Sequence, residues 1–142
     1  MIAEKSYGVI PLRREDEIWQ VYLVCHNAGH WAFPKGHREG EESGQQTAER
    51  ELNEETGLSI VRFLSSPPIK EQYFYTHDSQ KIDKTVVYYL AEVEGHVNLQ
   101  EEEICDGRWI NLHEAQEQIT FPEGRSICSQ AMKTLLGNKT NS

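Results

Sequence analysis

The chain has 142 residues, 37% hydrophobic and 26% charged, and its 23 acidic and 14 basic residues give a formal net charge of −9. Domains usually have roughly 100–200 residues, so we expect a single domain over residues 1–142, and the composition argues against disorder. No run of about 18 apolar residues occurs, so we expect no membrane span. The excess of acid disfavours broad electrostatic binding to nucleic acid or to anionic membranes.

Alternating apolar residues and intervening turn residues predict a series of short strands. In chain order these strands cover residues 6–12, 19–25, 59–64, 69–76, 85–93 and 108–110. Residues 27–29 offer a turn before the apolar segment 31–34, and glycines punctuate the polar loop that follows it.

Three helices are predicted between and after these strands. Residues 43–56 have a helical composition without proline, and Gly57 suits the left-handed end of a helix. Asn111 is expected to cap a short helix to about residue 119. Pro122 is expected to begin a final helix that reaches residue 136 and stops at Gly137. This order of elements predicts an α/β (α+β) sandwich with a mixed central β-sheet.

Cysteine and histidine spacing excludes several classes of site. The three cysteines form no CxxC pair, which fits free thiols in a reducing cytoplasm, and the N-terminal sequence does not have the pattern of a secretory signal. The six histidines show no HxxxH spacing, so we expect no zinc site. No GxSxG, P-loop or GxGxxG motif supports acyl transfer, P-loop ATPase or dinucleotide chemistry. We therefore expect a cytoplasmic protein whose chemistry depends on none of these sites and motifs.

The chemistry is concentrated in residues 36–58, GHREGEESGQQTAERELNEETGL. On a helix, Glu51, Glu54 and Glu55 lie at i, i+3 and i+4, so that three carboxylates share one face and repel each other. Mg²⁺ takes oxygen ligands and often binds a polyphosphate at the same time, which would relieve this repulsion. The alternative is a solvated acidic face neutralised by Arg50 and bulk salt.

This segment resembles the Nudix hydrolase signature, which is Gly, five residues, Glu, seven residues, then Arg-Glu-aliphatic-any-Glu-Glu-any-Gly-aliphatic. The chain fills it without a departure at Gly36, Glu42, Arg50, Glu51, Leu52, Glu54, Glu55, Gly57 and Leu58. The resemblance implies a Nudix-type α/β/α sandwich in which the motif is a loop, a helix and a turn. It also implies hydrolysis of nucleoside diphosphates linked to another moiety, with Mg²⁺ or alternatively Mn²⁺.

Residue roles follow from the same resemblance. Glu51, Glu54 and Glu55 correspond to the metal-binding carboxylates, and the carbonyl of Gly36 to a further ligand. One of these glutamates, or a glutamate beyond the motif, deprotonates the attacking water. Within the second acidic cluster, residues 101–103, Glu103 is our first choice for that role or for a metal ligand.

Two other pairs of motif residues have structural roles. The resemblance implies that Glu42 and Arg50 form an ion pair that holds the loop against the helix. Leu52 and Leu58 are expected to face the core.

The flanking segments narrow the resemblance. HWAFPKGHREGEE, and DKTVVYYLAEV followed by EEEICDGRWINLHEA, resemble the asymmetric diadenosine tetraphosphate hydrolases of the animal and archaeal type. The resemblance implies cleavage of diadenosine tetraphosphate to ATP and AMP by attack of water on phosphorus. Lys35 and His37 would contact phosphate. Tyr75, and next Tyr88, would stack on adenine, since aromatic faces bind bases in this way.

Two alternatives remain open. WAFPKGH is also similar to the WxFPxG stretch of RNA 5′-pyrophosphohydrolases, although a chain at −9 is less suited to RNA. Other nucleoside diphosphate-linked substrates belong to the same alternative. A non-catalytic, nucleotide-sensing module is the second, but such modules tend to lose motif carboxylates. In either case the expected partner is a small-molecule nucleotide, and we expect a monomer.

Overall fold

Eight strands form one mixed sheet in the computed structural model, which describes residues 1–140, with side chains for residues 1–137. The strands are β1 (Ile2–Glu15), β2 (Ile18–His26), β3 (Trp31–Ala32), β4 (Lys35–His37), β5 (Ser59–Phe63), β6 (Ile69–His77), β7 (Gln80–Glu94) and β8 (Ile104–Asn111). The helices are α1 (Gly44–Thr56), α2 (Ala115–Gln118) and α3 (Pro122–Thr140).

The two longest strands, β1 and β7, are parallel and form the middle of the sheet, which has the order β3-β2-β1-β7-β5. The remaining pairs are antiparallel. β1 pairs with β4 over residues 6–8 and with β2 over residues 12–15. Both partners therefore lie along the same edge of β1, one after the other. This arrangement lets β4, which carries Lys35 and His37, lie beside the start of β1.

Both faces of the sheet are buried, because its central strands carry apolar residues at odd and even positions. In β2, Val21 and Leu23 pack towards the C-terminal helices, whereas Tyr22 and Val24 pack on the other face with α1. The predicted α/β/α sandwich with a mixed sheet is therefore confirmed. Among the described residues, no helix combines the length and apolar character needed to cross a bilayer.

The helix α1 agrees closely with its prediction. Its N-cap is Ser43, whose hydroxyl accepts a hydrogen bond from the amide of Gln46 while the Gln46 side chain accepts one from the amide of Ser43. Gly57 ends the helix in the left-handed conformation at φ 81°. Leu52 and Leu58 are both buried in the core, as expected.

The C-terminal elements differ from their predictions. Asn111 makes no capping hydrogen bond, because its side-chain oxygen accepts from Gln20 instead, and a 3₁₀ turn over residues 112–114 precedes the single turn of α2. The helix α3 continues through Gly137 to Thr140. A glycine inside a helix costs only about 1 kcal/mol, which weakens a helix without ending it. The strand β4 was not predicted, since it has only three residues.

Glycine at position 57 is required by both conformation and space. A Cβ atom there would lie 2.9 Å from the amide nitrogen of Asn98 and 3.0 Å from the carbonyl oxygen of His96. Gly40 also has a positive φ, 59°, but a Cβ atom there would meet nothing within 4 Å. The two positions therefore separate the cost of the left-handed conformation from the cost of a backbone clash.

We expect Gly57→Ala to lower the free energy of unfolding by at least about 2 kcal/mol and Gly40→Ala by about 1 kcal/mol, the usual cost of an L-residue in this conformation. Urea denaturation followed by circular dichroism measures both. Equal losses in the two variants would show that the segment 96–98 does not press on Gly57.

Candidate active site

Arg50, in the middle of α1, fastens the loop 36–43 to the helix. Its Nε and Nη2 atoms donate to the two carboxylate oxygens of Glu42 at 2.7 and 3.1 Å, and Nη2 also donates to the carbonyl oxygen of His37 at 2.8 Å. The ion pair expected from the motif is thus present and bidentate, the geometry that gives arginine–carboxylate pairs their directionality.

Glu42 receives two more hydrogen bonds, from the amide of Glu39 at 2.9 Å and from the hydroxyl of Thr47 at 3.0 Å. Its four donors stabilise the ionised form. The Arg50 guanidinium, and after it the Glu39 amide, lower the pKa of Glu42 to about 2. The loop is therefore fixed on the helix by a carboxylate that stays charged at every physiological pH.

The same guanidinium also contacts two of the expected metal-binding carboxylates. Nη1 of Arg50 lies 3.0 Å from Glu51 and 3.2 Å from Glu54. A Cβ atom on Gly36 would overlap the Glu51 carboxyl group, so the loop backbone touches that carboxylate and tolerates only glycine at this position. The structure therefore brings Gly36 and Glu51 together, with Glu54 half exposed beside them.

Glu55 is the most unusual acid in the molecule. It is 1% exposed, and among residues 1–137 neither of its carboxylate oxygens has a hydrogen-bond partner. Burial, and then the neighbouring Glu51 carboxylate, raise the pKa of Glu55 to about 9. A buried carboxylate without a partner costs free energy, and a bound cation is one of the few groups that repays this cost.

The donors present fit a hard divalent cation, because they are carboxylate oxygens on one helix face, without the sulfur or imidazole ligands that softer metals prefer. No three His, Cys, Asp or Glu side chains converge into a ready-made cage among residues 1–137. Arg50 instead holds Glu51 and Glu54. Glu51 and Glu55 would hold the metal, with the Gly36 carbonyl and Glu54 next to them.

The second acidic cluster is attached to the end of α1. The amides of Asn98 and Gln100 donate to the carbonyl oxygens of Thr56 and Glu55 at 2.7 and 3.0 Å. Asn27 holds the turn from the other side, because its backbone amide donates a hydrogen bond to the carbonyl oxygen of Glu103. The charge of Glu103 adds to the raised pKa of Glu55, so this turn faces the acidic face of α1, and the role of Glu103 in the reaction stays a prediction.

Two lysines flank the carboxylates. Lys35 is half-buried among Glu51, Glu55 and Glu71, and burial together with the nearby Lys84 lowers the pKa of Lys35. Lys84, on β7, is 5% exposed; its ammonium group lies 3.1 Å from Nε2 of His37 and 3.2 Å from Glu4. Cations buried next to acids at a helix face make this side of the site suitable for phosphate.

A cavity of about 290 Å³ opens beside Lys35, between β3, β6 and the start of α3. Its walls are mainly aromatic, with three carboxylate or ammonium side chains among them. It is lined by His30, Trp31, Ala32, Phe33, Lys35, Glu71, Tyr73, Phe74, Tyr88, Ile119, Phe121, Glu123 and Gly124.

The predicted stacking tyrosines lie in different environments. Tyr88 is 2% exposed and its ring meets Phe33 edge-on at 5.4 Å, so it lines the floor of the cavity. A strand in the middle of the sheet is covered on both sides, which leaves little of this ring accessible, and the stacking role of Tyr88 stays a prediction. Tyr75 is 38% exposed and donates its hydroxyl to Glu4 at 3.0 Å. Its ring lies 6.0 Å from that of Tyr73.

Several residues of this region were missed from the sequence. Glu71 lines the cavity on the same face of β6 as its neighbouring tyrosine, and Lys84 and Glu4 pair beside His37. The sequence feature that could have pointed to them is a charged residue on an otherwise apolar strand face, such as Glu71, which shares its face of β6 with Ile69. Only the sheet register shows which of those charges meet.

A carboxylate-bearing helix with lysines and an aromatic cavity beside it is suited to small charged molecules. A model of the NUDIX domain family matches residues 4–130. The chain therefore belongs to the NUDIX family and is a Nudix hydrolase, and members of this family generally use divalent metal ions.

Known relatives and structures agree with this assignment. The chain is 32% identical over 109 residues to the asymmetrical bis(5′-nucleosyl)-tetraphosphatase of Rattus norvegicus, which covers 75% of this chain and 72% of the rat protein. It is 35% identical over 136 residues to the NAD-capped RNA hydrolase NudC of Mannheimia succiniciproducens, 90% of this chain and 46% of that protein.

A solved C. elegans Ap4A hydrolase binary complex shares the fold, with a TM-score of 0.73, 22% identity and coverage of 94% of this chain and 98% of that one.

Glu42 gives a stability prediction with a definite sign. Its folded-state pKa of about 2 is below the ordinary value of 4.5, so its contribution is complete above about pH 4.5 and is lost as the pH falls towards 2. We expect Glu42→Gln to lower the melting temperature near neutral pH, and the deficit relative to wild type to shrink as the pH falls through this window.

The matched control is Glu39→Gln, since Glu39 lies 3.6 Å from Arg50 but is 72% exposed. Melting curves recorded from about pH 7 down to about pH 2 should show little deficit for it. A Glu42→Gln deficit that does not depend on pH would mean that the ion pair does not hold the loop.

Proposed function

We propose that this Nudix hydrolase cleaves diadenosine tetraphosphate asymmetrically to ATP and AMP, with Mg²⁺ as its metal and Mn²⁺ as the alternative. The single observation that carries the proposal is the buried, unpartnered Glu55 beside Glu51, adjoining Lys35 and an aromatic cavity. The similarity to the rat tetraphosphatase over three quarters of the chain supports the choice of substrate.

The residues of this chain supply binding, charge and proton transfer. Glu51, Glu54 and Glu55 would hold the metal together with the Gly36 carbonyl, and a bound metal would neutralise phosphate oxygens and lower the pKa of the attacking water. Lys35 and His37 bind phosphate oxygens from the other side. Together they place the phosphate chain for in-line attack, where positioning and electrostatic stabilisation supply most of the catalysis.

The base that accepts the proton of the attacking water is a carboxylate at this site. Glu103 is our choice, because its turn is fastened to the end of α1 and its charge reaches Glu55. It lies on a loop, so it can approach a bound water without disturbing the helix. A general base needs only to come within hydrogen-bond distance of that water.

The cavity beside Lys35 suits one base of the substrate. Its aromatic walls exclude water and its position next to Lys35 leaves the phosphate chain on the carboxylate side. Tyr75 is exposed on the neighbouring surface of β6 and is proposed to stack on a base outside the cavity.

The second candidate is an RNA 5′-end hydrolase, which the similarity to an NAD-capped RNA hydrolase favours. The net charge of −9 makes an extended RNA a poor partner for this chain. A nucleotide-sensing module is less well supported, because every motif carboxylate is present. We further propose a monomer that acts in the cytoplasm, in keeping with three free cysteines.

Incubation of the protein with diadenosine tetraphosphate and Mg²⁺ in oxygen-18 water should give ATP and AMP in equal amounts, with the label in AMP. Chromatography with mass spectrometry identifies both products and the phosphorus attacked. Two molecules of ADP, or label in ATP, would reject asymmetric cleavage with the proposed point of attack. A panel of capped RNA and nucleoside diphosphate derivatives, compared by kcat/KM, tests the second candidate.

We expect Glu55→Gln to lower kcat at least about a hundredfold, because it removes a charged ligand that stabilises the transition state. The matched control is Glu49→Gln, an exposed residue of the same helix, which should retain wild-type turnover. Steady-state kinetics at saturating Mg²⁺ measure both. Near-normal turnover of Glu55→Gln would remove Glu55 from the metal site.

A further inference from the structure

Glu71 is a buried carboxylate that the proposed reaction does not use. It lies on β6 between Ile69 and Tyr73, on the face that α3 covers, and is 9% exposed. Within residues 1–137, its side chain makes no hydrogen bond and no ion pair shorter than 4 Å. Burial raises the pKa of Glu71, which is the sign of a carboxylate that lacks compensating donors.

The open side of Glu71 is the aromatic cavity. Lys35 is the one cation among the lining residues and Glu123 the second acid, and the remaining walls are formed mostly by rings such as those of Trp31 and Phe121. The negative charges of Glu51, Glu55 and Glu71 all act on the Lys35 ammonium group. Because Lys35 also lines the cavity, it connects the carboxylate site with the cavity. A ligand whose phosphates occupy the carboxylate site would place a planar group at its other end next to Glu71.

The chemistry of the cavity restricts what that planar group can be. Ionised Glu71 only accepts hydrogen bonds, and with Glu123 nearby it repels a phosphate. Aromatic walls favour a planar group. A planar group with N–H donors on its edge satisfies both conditions, and a nucleobase with an exocyclic amine is such a group.

We propose that this cavity receives one base of the substrate with its amine-bearing edge against Glu71, and that Glu71 is the residue that selects bases carrying an exocyclic amine. The proposal rests on the proposed function, since it assumes a nucleotide at the carboxylate site. A base without such a donor leaves the buried carboxylate unpaired, and a site built around a hydrogen bond rejects ligands that lack it more strongly than an apolar pocket does.

The test compares adenine with unsubstituted purine, which differs by the loss of the amine alone. For the wild-type protein we expect kcat/KM for diadenosine tetraphosphate to exceed that for the bis(purine riboside) tetraphosphate by at least about tenfold. Glu71→Met should reduce this ratio to about one by lowering the value for the adenine substrate. Glu71→Gln, whose amide oxygen still accepts, should keep most of the preference.

Two control variants locate the effect. Gln72→Met changes the next residue of β6, which is exposed, and should keep the wild-type ratio. Glu123→Gln changes the other acid of the cavity and should also keep it. Equal kcat/KM values for the two substrates in the wild-type protein, an unchanged ratio in Glu71→Met, or loss of the ratio in Glu123→Gln would each overturn the assignment to Glu71.

A binding experiment separates this proposal from the proposed reaction. AMP and purine riboside 5′-monophosphate contain no phosphoanhydride, so calorimetric titration of the protein with each in Mg²⁺ reports recognition without turnover. Tighter binding of AMP that disappears in Glu71→Met supports the role of Glu71 even if diadenosine tetraphosphate is not cleaved. Cleavage of diadenosine tetraphosphate with equal affinity for the two monophosphates would reject the role of Glu71 while leaving the reaction intact.

Discussion

The contact between Arg50 and Glu42 is the interaction on which the site depends. Three carboxylates on adjacent turns of α1 repel each other, and repulsion of this kind weakens a helix. Arg50 offsets it by contacting Glu51 and Glu54 with one nitrogen while its other nitrogens bind Glu42 and the His37 carbonyl. One guanidinium therefore both neutralises the acidic face and anchors the loop that brings Gly36 against Glu51.

Glu55 is the member of the acidic face that Arg50 does not reach. Its burial without a hydrogen bond is unfavourable for the isolated chain, and a structure selected only for stability would place an apolar residue there. Lys35 and the turn that carries Glu103 approach the same carboxylate from two other elements. The local cost is thus concentrated where a cation and a phosphate chain would remove it, as is common at functional sites.

The sequence predicted those parts of the structure that depend on local rules. The helix α1 and its end at Gly57 follow from residue types at fixed spacing, whereas the pairing of Glu42 with Arg50 is implied by the resemblance to the Nudix signature. The environment of Tyr88 could not be predicted in this way, because it depends on which strands flank β7 and what covers them. The meeting of Lys84 with His37 depends on sheet register, which no local pattern fixes.

The strand β4 joins the two halves of the site although it has only three residues. It pairs with β1 at Gly8, where a Cβ atom would overlap the carbonyl of Pro34 and crowd the Cβ of Lys35, so this glycine allows β4 to approach. Lys35 then lies with the carboxylates of α1 on one side and the aromatic cavity on the other. In the proposed reaction, phosphate chemistry and base recognition are therefore assigned to different elements, the helix and β6. Under that proposal, variation in the cavity would change which base is accepted without disturbing the carboxylates of α1.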